Sequence, residues 1–161
     1  MKKTGVITGI ALAMILAGCQ NKSQGVFSAQ QIEVMRSQGF SEVPEGWMLG
    51  MSDNILFGMN RAELQPQSIQ KIKVLASKLS GFGLKHARLD GHSDNYGDDN
   101  YNKALSLKRA NVVADAWAEG AGVSRSNIST QGLGDEDPVK SNKTSQGRAE
   151  NRRVAIIITA P

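Results

Sequence analysis

The chain has 161 residues, 40% of them hydrophobic, with 19 Lys and Arg against 15 Asp and Glu and one cysteine. That length fits a single domain with its own core, and one cysteine excludes a disulfide framework. The positive excess is small and half of it sits in Lys2 and Lys3, so charge makes no case for nucleic acid.

Lys2 and Lys3, the apolar run over residues 5–17, and the small pair Ala17 and Gly18 before Cys19 read as a signal peptide covering residues 1–18. The apolar run falls short of the roughly 20 residues that span a bilayer. The small pair ahead of the single cysteine resembles the lipobox of bacterial lipoproteins. That resemblance implies lipidation of Cys19 with acyl chains such as palmitate; the alternative is an ordinary secretory signal with a stray cysteine. Gln20, where an aspartate would retain the protein inside, implies sorting to the outer membrane with the domain on its periplasmic face. Residues 19–27 then form a lipidated tether.

Residues 28–52 read as an N-terminal helix and a collar. Ser28 is a candidate N-cap, Ile32, Val34 and Met35 give a weak apolar face, and Gly39 ends the helix. Phe40, Trp47, Met48, Leu49 and Met51 follow in a stretch broken by Pro44 and Gly46, which reads as a collar more than a strand. Residues 54–57 read as a strand and 58–64 as a loop. Pro66 suits the first turn of a helix that carries Ile69, Ile72, Leu75, Ala76 and Leu79 on one face and closes at Gly81.

Ala87 and Leu89 alternate with polar neighbours, the period of a half-buried strand over residues 86–91. A helix over about residues 99–119 presents Leu105, Val112, Val113, Ala116 and Trp117, and Gly120 and Gly122 end it. A short strand over 127–132, a polar connection over 135–144 and one or two helical turns over 145–151 lead to the apolar run 154–158. That run lacks alternation, which predicts burial on both faces in the middle of a sheet. The order predicts an α/β (α+β) two-layer sandwich over residues 53–161, a mixed four-stranded sheet with helices packed over it.

On the second long helix Asn102, Leu105 and Arg109 lie at i, i+3 and i+7, so Arg109 points along the core-facing stripe and needs a partner. Asp94, on the turn leaving the preceding strand, is the nearest candidate. Either the two pair with each other, or Asp94 closes an Asx turn before Gly97, or together they grip a ligand carrying both charges. His86 and His92, six apart on one strand, lie about 20 Å from each other and cannot share a metal. His92, Ser93 and Asp94 are adjacent, which argues against a catalytic triad. Neither catalysis nor a cofactor is expected.

Gly91, His92, Ser93 and Asp94, then Asn102, Leu105, Ser106, Arg109 and Ala110, later Asn142, Thr144, Gly147 and Arg148, and finally Asn151, Arg152, Arg153 and Val154 resemble the OmpA-like peptidoglycan-binding domain, over residues 54–159. The resemblance implies a non-covalent site for the peptide stem of peptidoglycan, centred on meso-diaminopimelate. The free end of that residue carries an ammonium and a carboxylate. Asp94 would hold the ammonium and Arg109 the carboxylate, with Asn102 and Leu105 lining the pocket and Asn60 at its rim. Gly97 would let ligand backbone approach, Tyr96 would stack on the ligand or cover the strand ends, and Arg153 would line the pocket. Arg152 reads as packing or as a surface partner for an acid.

Within that family, Gln38, Gly39 and Phe40, Gly46 and Trp47, and Gly50, Met51 and Ser52 are similar to a subgroup of outer-membrane lipoproteins. Membership implies sequestration of a YfiR-like periplasmic repressor and hence release of a diguanylate cyclase, raising cyclic-di-GMP and favouring biofilm. The alternative is a purely structural anchor between outer membrane and wall. Undocking of residues 28–46 would expose Met35, Phe40 and Trp47 to such a partner; otherwise those side chains seal the edge of the domain.

Overall fold

The computed structural model describes residues 25–57 and 62–159. Its first element is the helix α1, Ala29–Ser37, set by a reciprocal cap: the Ser28 hydroxyl accepts from the Gln31 amide and the Gln31 side chain accepts from the Ser28 amide. Gly39, at φ 87°, turns the chain out of it. The collar expected next is a hairpin instead. β1, Ser41–Val43, and β2, Gly46–Ser52, pair antiparallel, and Pro44 and Glu45 form the turn between them. Pro44 therefore interrupts nothing, because it sits where the ladder has already ended. β2 goes on to pair with the last strand along its full length, from Gly46 opposite Thr159 to Ser52 opposite Arg153.

The strand expected over 54–57 is a single helical turn, α2, Asp53–Leu56, which buries Leu56 and Phe57. An apolar run of three residues has no period, and the ladder that would have made it a strand is already taken up by β2. α3, Pro66–Gly81, has proline at its first position and buries Ile72, Ala76 and Leu79, as the spacing predicts. β3, Ala87–His92, leads through a turn to α4, Asp99–Ala121, which is capped by the Asp98 side chain and closed by Gly122 in the left-handed region. A short 3-10 turn, Arg125–Asn127, precedes β4, Ile128–Gly134; α5, Ser145–Asn151, precedes β5, Arg153–Thr159.

The sheet has five strands, not four, in the order β1-β2-β5-β3-β4, with β3 and β4 parallel and the other neighbours antiparallel. The collar supplies two strands, β1 and β2, and residues 54–57 supply none. β5 lies in the middle, as its unbroken apolar run requires. Its Val154, Ile156 and Ile158 enter the core with Leu89, Val113 and Trp117, while Ala155 and Ile157 are buried on the opposite face. α4 reaches the sheet very closely because Gly91 and Gly132 face the Ser106 and Lys103 backbone, where no Cβ would fit. That approach lowers the buried face of α4, with Asn102, Ser106 and Arg109, onto the strand ends.

Candidate ligand-binding site at the strand ends

Three strands meet at one end of the sheet. Ser52 at the end of β2 and His92 at the end of β3 both pair with Arg153 at the start of β5. The residues just beyond, Asp53, Asp94 and Arg152, therefore emerge side by side, and the Asp53 amide donates to the Arg152 carbonyl at 3.0 Å.

Sequence logic paired Asp94 with Arg109; the ion pairs in the structure run through Asp53. Arg109 Nη1 lies 3.3 Å from Asp53 Oδ2. The same oxygen is 3.4 Å from Arg152 Nε, and Arg152 Nη1 is 2.6 Å from Asp94 Oδ2. The other oxygen of Asp94 accepts from the Tyr96 amide at 2.9 Å, so the Asx turn forms as well. Arg109 and Asp53 are each about 5% exposed, and the Arg109 guanidinium stands 5.2 Å from the centre of the Phe57 ring. Burial raises the pKa of the Asp53 carboxyl even though Arg109 and Arg152 pull it down, and burial lowers that of Arg109 despite Asp53. Asp53 carries no signal in the sequence, because its position just past the end of a strand depends on recognising β2.

The remaining residues fall into place unevenly. Asn102 is buried and donates to the Tyr96 carbonyl at 2.8 Å, so it fixes the loop that carries Asp94. Leu105 is partly exposed on the same helix. Gly97 has φ 93°, which favours glycine, and a Cβ there would meet nothing, so the space beside it is open. Tyr96 is 73% exposed, and Arg148 lies over its ring at 5.4 Å. Arg152, expected as packing or a surface partner, bridges the two carboxylates of the site. Arg153, expected to line the pocket, faces away from it. Strand alternation sends Val154 to the helices and Arg153 to the opposite face, where it donates to the carbonyls of Asn151 and Asp137 and lies beside Arg88, Asp90 and His92. Met35, Phe40 and Trp47 are all buried, with Arg36 over the Trp47 ring. Asn60 and Cys19 lie outside the described residues.

His92 backs the site from the other face of the sheet. Burial lowers its pKa, and the Arg153 guanidinium across the strand pair lowers it further, against the Glu136 carbonyl, Asp90 and Asp137. The folded protein thus takes up this proton less readily than the unfolded chain. Stability is full above the ordinary histidine value near 6.5 and falls as pH drops below it. Denaturant midpoints taken between pH 7.5 and 5 should decline, and His92→Gln should flatten that decline; an unchanged slope in the variant would assign it to other groups.

Residues 56–152 match the OmpA family. The chain belongs to the OmpA family. It is 58% identical over 149 residues to the lipoprotein YfiB of Escherichia coli strain K12, covering 92% of this chain and 92% of that protein. It is 48% identical over 151 residues to the outer-membrane lipoprotein YfiB of Pseudomonas aeruginosa, covering 93% of this chain and 89% of that one. Among solved structures, the cell wall anchor of the T6SS from Pseudomonas aeruginosa superposes with a TM-score of 0.67 at 25% identity, over 81% of this chain and 94% of that one. These relatives place this OmpA-family chain at the outer membrane, and no helix among the described residues is long and apolar enough to cross a membrane.

Proposed function

We propose that this OmpA-family domain is lipid-anchored through Cys19 and binds peptidoglycan without catalysis, through the free end of meso-diaminopimelate in the stem peptide. The observation that supports it is the convergence of two carboxylates and two guanidiniums at one end of the sheet, with Asp94 and Arg152 at the mouth and Asp53 and Arg109 behind. A two-headed ligand end needs groups of both signs close together, and here Asp53 and Arg109 stand on helices while Asp94 and Arg152 sit on the turns beside them. The neighbouring fold of a cell wall anchor supports the same reading.

The test is co-sedimentation of the full-length protein with purified sacculi. Asp94→Ala should weaken binding at least tenfold, about 1.4 kcal/mol, with the fold intact by circular dichroism. Equal binding by the variant, or release of muropeptides by the wild type, would overturn the proposal.

Similarity to the two YfiB lipoproteins supports a second level, capture of a YfiR-like periplasmic repressor and control of cyclic-di-GMP. In that reading the buried Met35, Phe40 and Trp47 are the surface that opens to the partner. A purely structural anchor would have no protein partner, and pull-down from periplasm at low salt separates the two.

A further inference from the structure

Arg152 already occupies the position that the ligand's ammonium needs. Its Nη1 sits 2.6 Å from Asp94 Oδ2, while its Nε reaches Asp53 Oδ2 at 3.4 Å, so one planar guanidinium spans both carboxylates. We propose that Arg152 is an internal competitor for Asp94 and that this competition sets the site's selectivity for a zwitterionic ligand end over a merely cationic one. The inference rests on the diaminopimelate reading above.

The charge balance carries the argument. Asp53 and Asp94 against Arg109 and Arg152 make a neutral cluster. An arriving ammonium must displace Arg152 from Asp94. If the ligand brings only that ammonium, three cations then share two carboxylates in a partly desolvated crevice. If it also brings a carboxylate, the displaced guanidinium gains a new anion and the cluster stays neutral. Arg152 is suited to the exchange because about a third of its side chain is exposed, whereas Arg109 is held inside. Its planar fork lets it keep one carboxylate while releasing the other. Without Arg152 the cluster carries one net negative charge, which a lone ammonium neutralises and a zwitterion does not.

Two synthetic stem tripeptides, with meso-diaminopimelate or lysine at the third position, differ only in the distal carboxylate. Calorimetric titration of both into the full-length protein in detergent, wild type and Arg152→Met, reads the effect directly. The wild type should prefer the diaminopimelate peptide at least tenfold. In the variant the lysine peptide should bind more tightly than it does to the wild type, and the preference should shrink at least tenfold. Should Arg152→Met fail to fold, Arg152→Lys, which keeps a cation but cannot bridge both carboxylates, should show the same narrowing to a smaller extent. An unchanged ratio in the variant, equal weakening of both peptides, or a wild type that binds both alike would overturn the role of Arg152 and leave the site standing. A wild type that binds neither would overturn the diaminopimelate site itself.

Discussion

Asp53→Ala is expected to lower stability by about 3–5 kcal/mol, the cost of breaking a buried ion pair by removing one member. Asp53 is nearly inaccessible and its Oδ2 serves both Arg109 and Arg152. The loss would not measure a favourable ion pair, because burial shifts Asp53 and Arg109 each toward its neutral form. It would measure the removal, from a buried place, of the carboxylate that Arg109 and Arg152 share. Asp94→Ala should cost less, about 1–2 kcal/mol, since the guanidinium it releases is partly exposed and can turn to water while the Tyr96 amide loses its acceptor. Denaturant unfolding of the two variants side by side checks this, and a similar small loss in both would mean that the Asp53 pair is effectively solvated. The contrast also decides how binding should be probed. Arg109→Ala would confuse lost ligand contact with lost fold, whereas Asp94→Ala disturbs only its turn and the Arg152 pair.

What the sequence made legible follows from which signals are local. Ser28 capping α1, Pro66 opening α3 and Gly122 closing α4 each act within a turn, and each stands where its chemistry points. The apolar run of β5 needs only its own composition to declare a central strand. The hairpin was not legible, because Pro44 and Gly46 look alike whether they break a strand or turn between two, and the partner that decides it lies more than a hundred residues later. That error hid Asp53, and with it the group that joins the site. The exchange of roles between Arg152 and Arg153 has a related cause: the two are neighbours, and only the residue at which β5 begins determines which faces the crevice. Asp94 and Arg109 follow from the resemblance together with helical spacing; their connection through Asp53 requires the fold.

Met35→Asp is expected to release α1 while leaving the sheet intact. Met35 has no exposed surface, and a carboxylate placed there has no cation described beside it, so the docked helix should lose on the order of 3 kcal/mol or more. The outer attachments of α1 are slight by comparison, such as the Gln31 side-chain donation to the Phe82 carbonyl. β2, in contrast, is held to β5 by seven consecutive residue pairs. Hydrogen exchange should therefore quicken over Ala29–Ser37 and stay slow over the paired amides of β2. This narrows the proposed switch. Unpacking of residues 28–46 would have given the tether about 27 residues and a reach on the order of 90 Å, but a sheet that holds from Ser41 onward frees only residues 20–40, or at most about 70 Å when extended. Partner capture would then rest on Met35 and Phe40, with Trp47 presented from the sheet as the floor that α1 vacates. Joint exchange of α1 and β2 would make them one cooperative unit and restore the longer reach; repressor capture unchanged by the release of α1 would separate this segment from partner binding altogether.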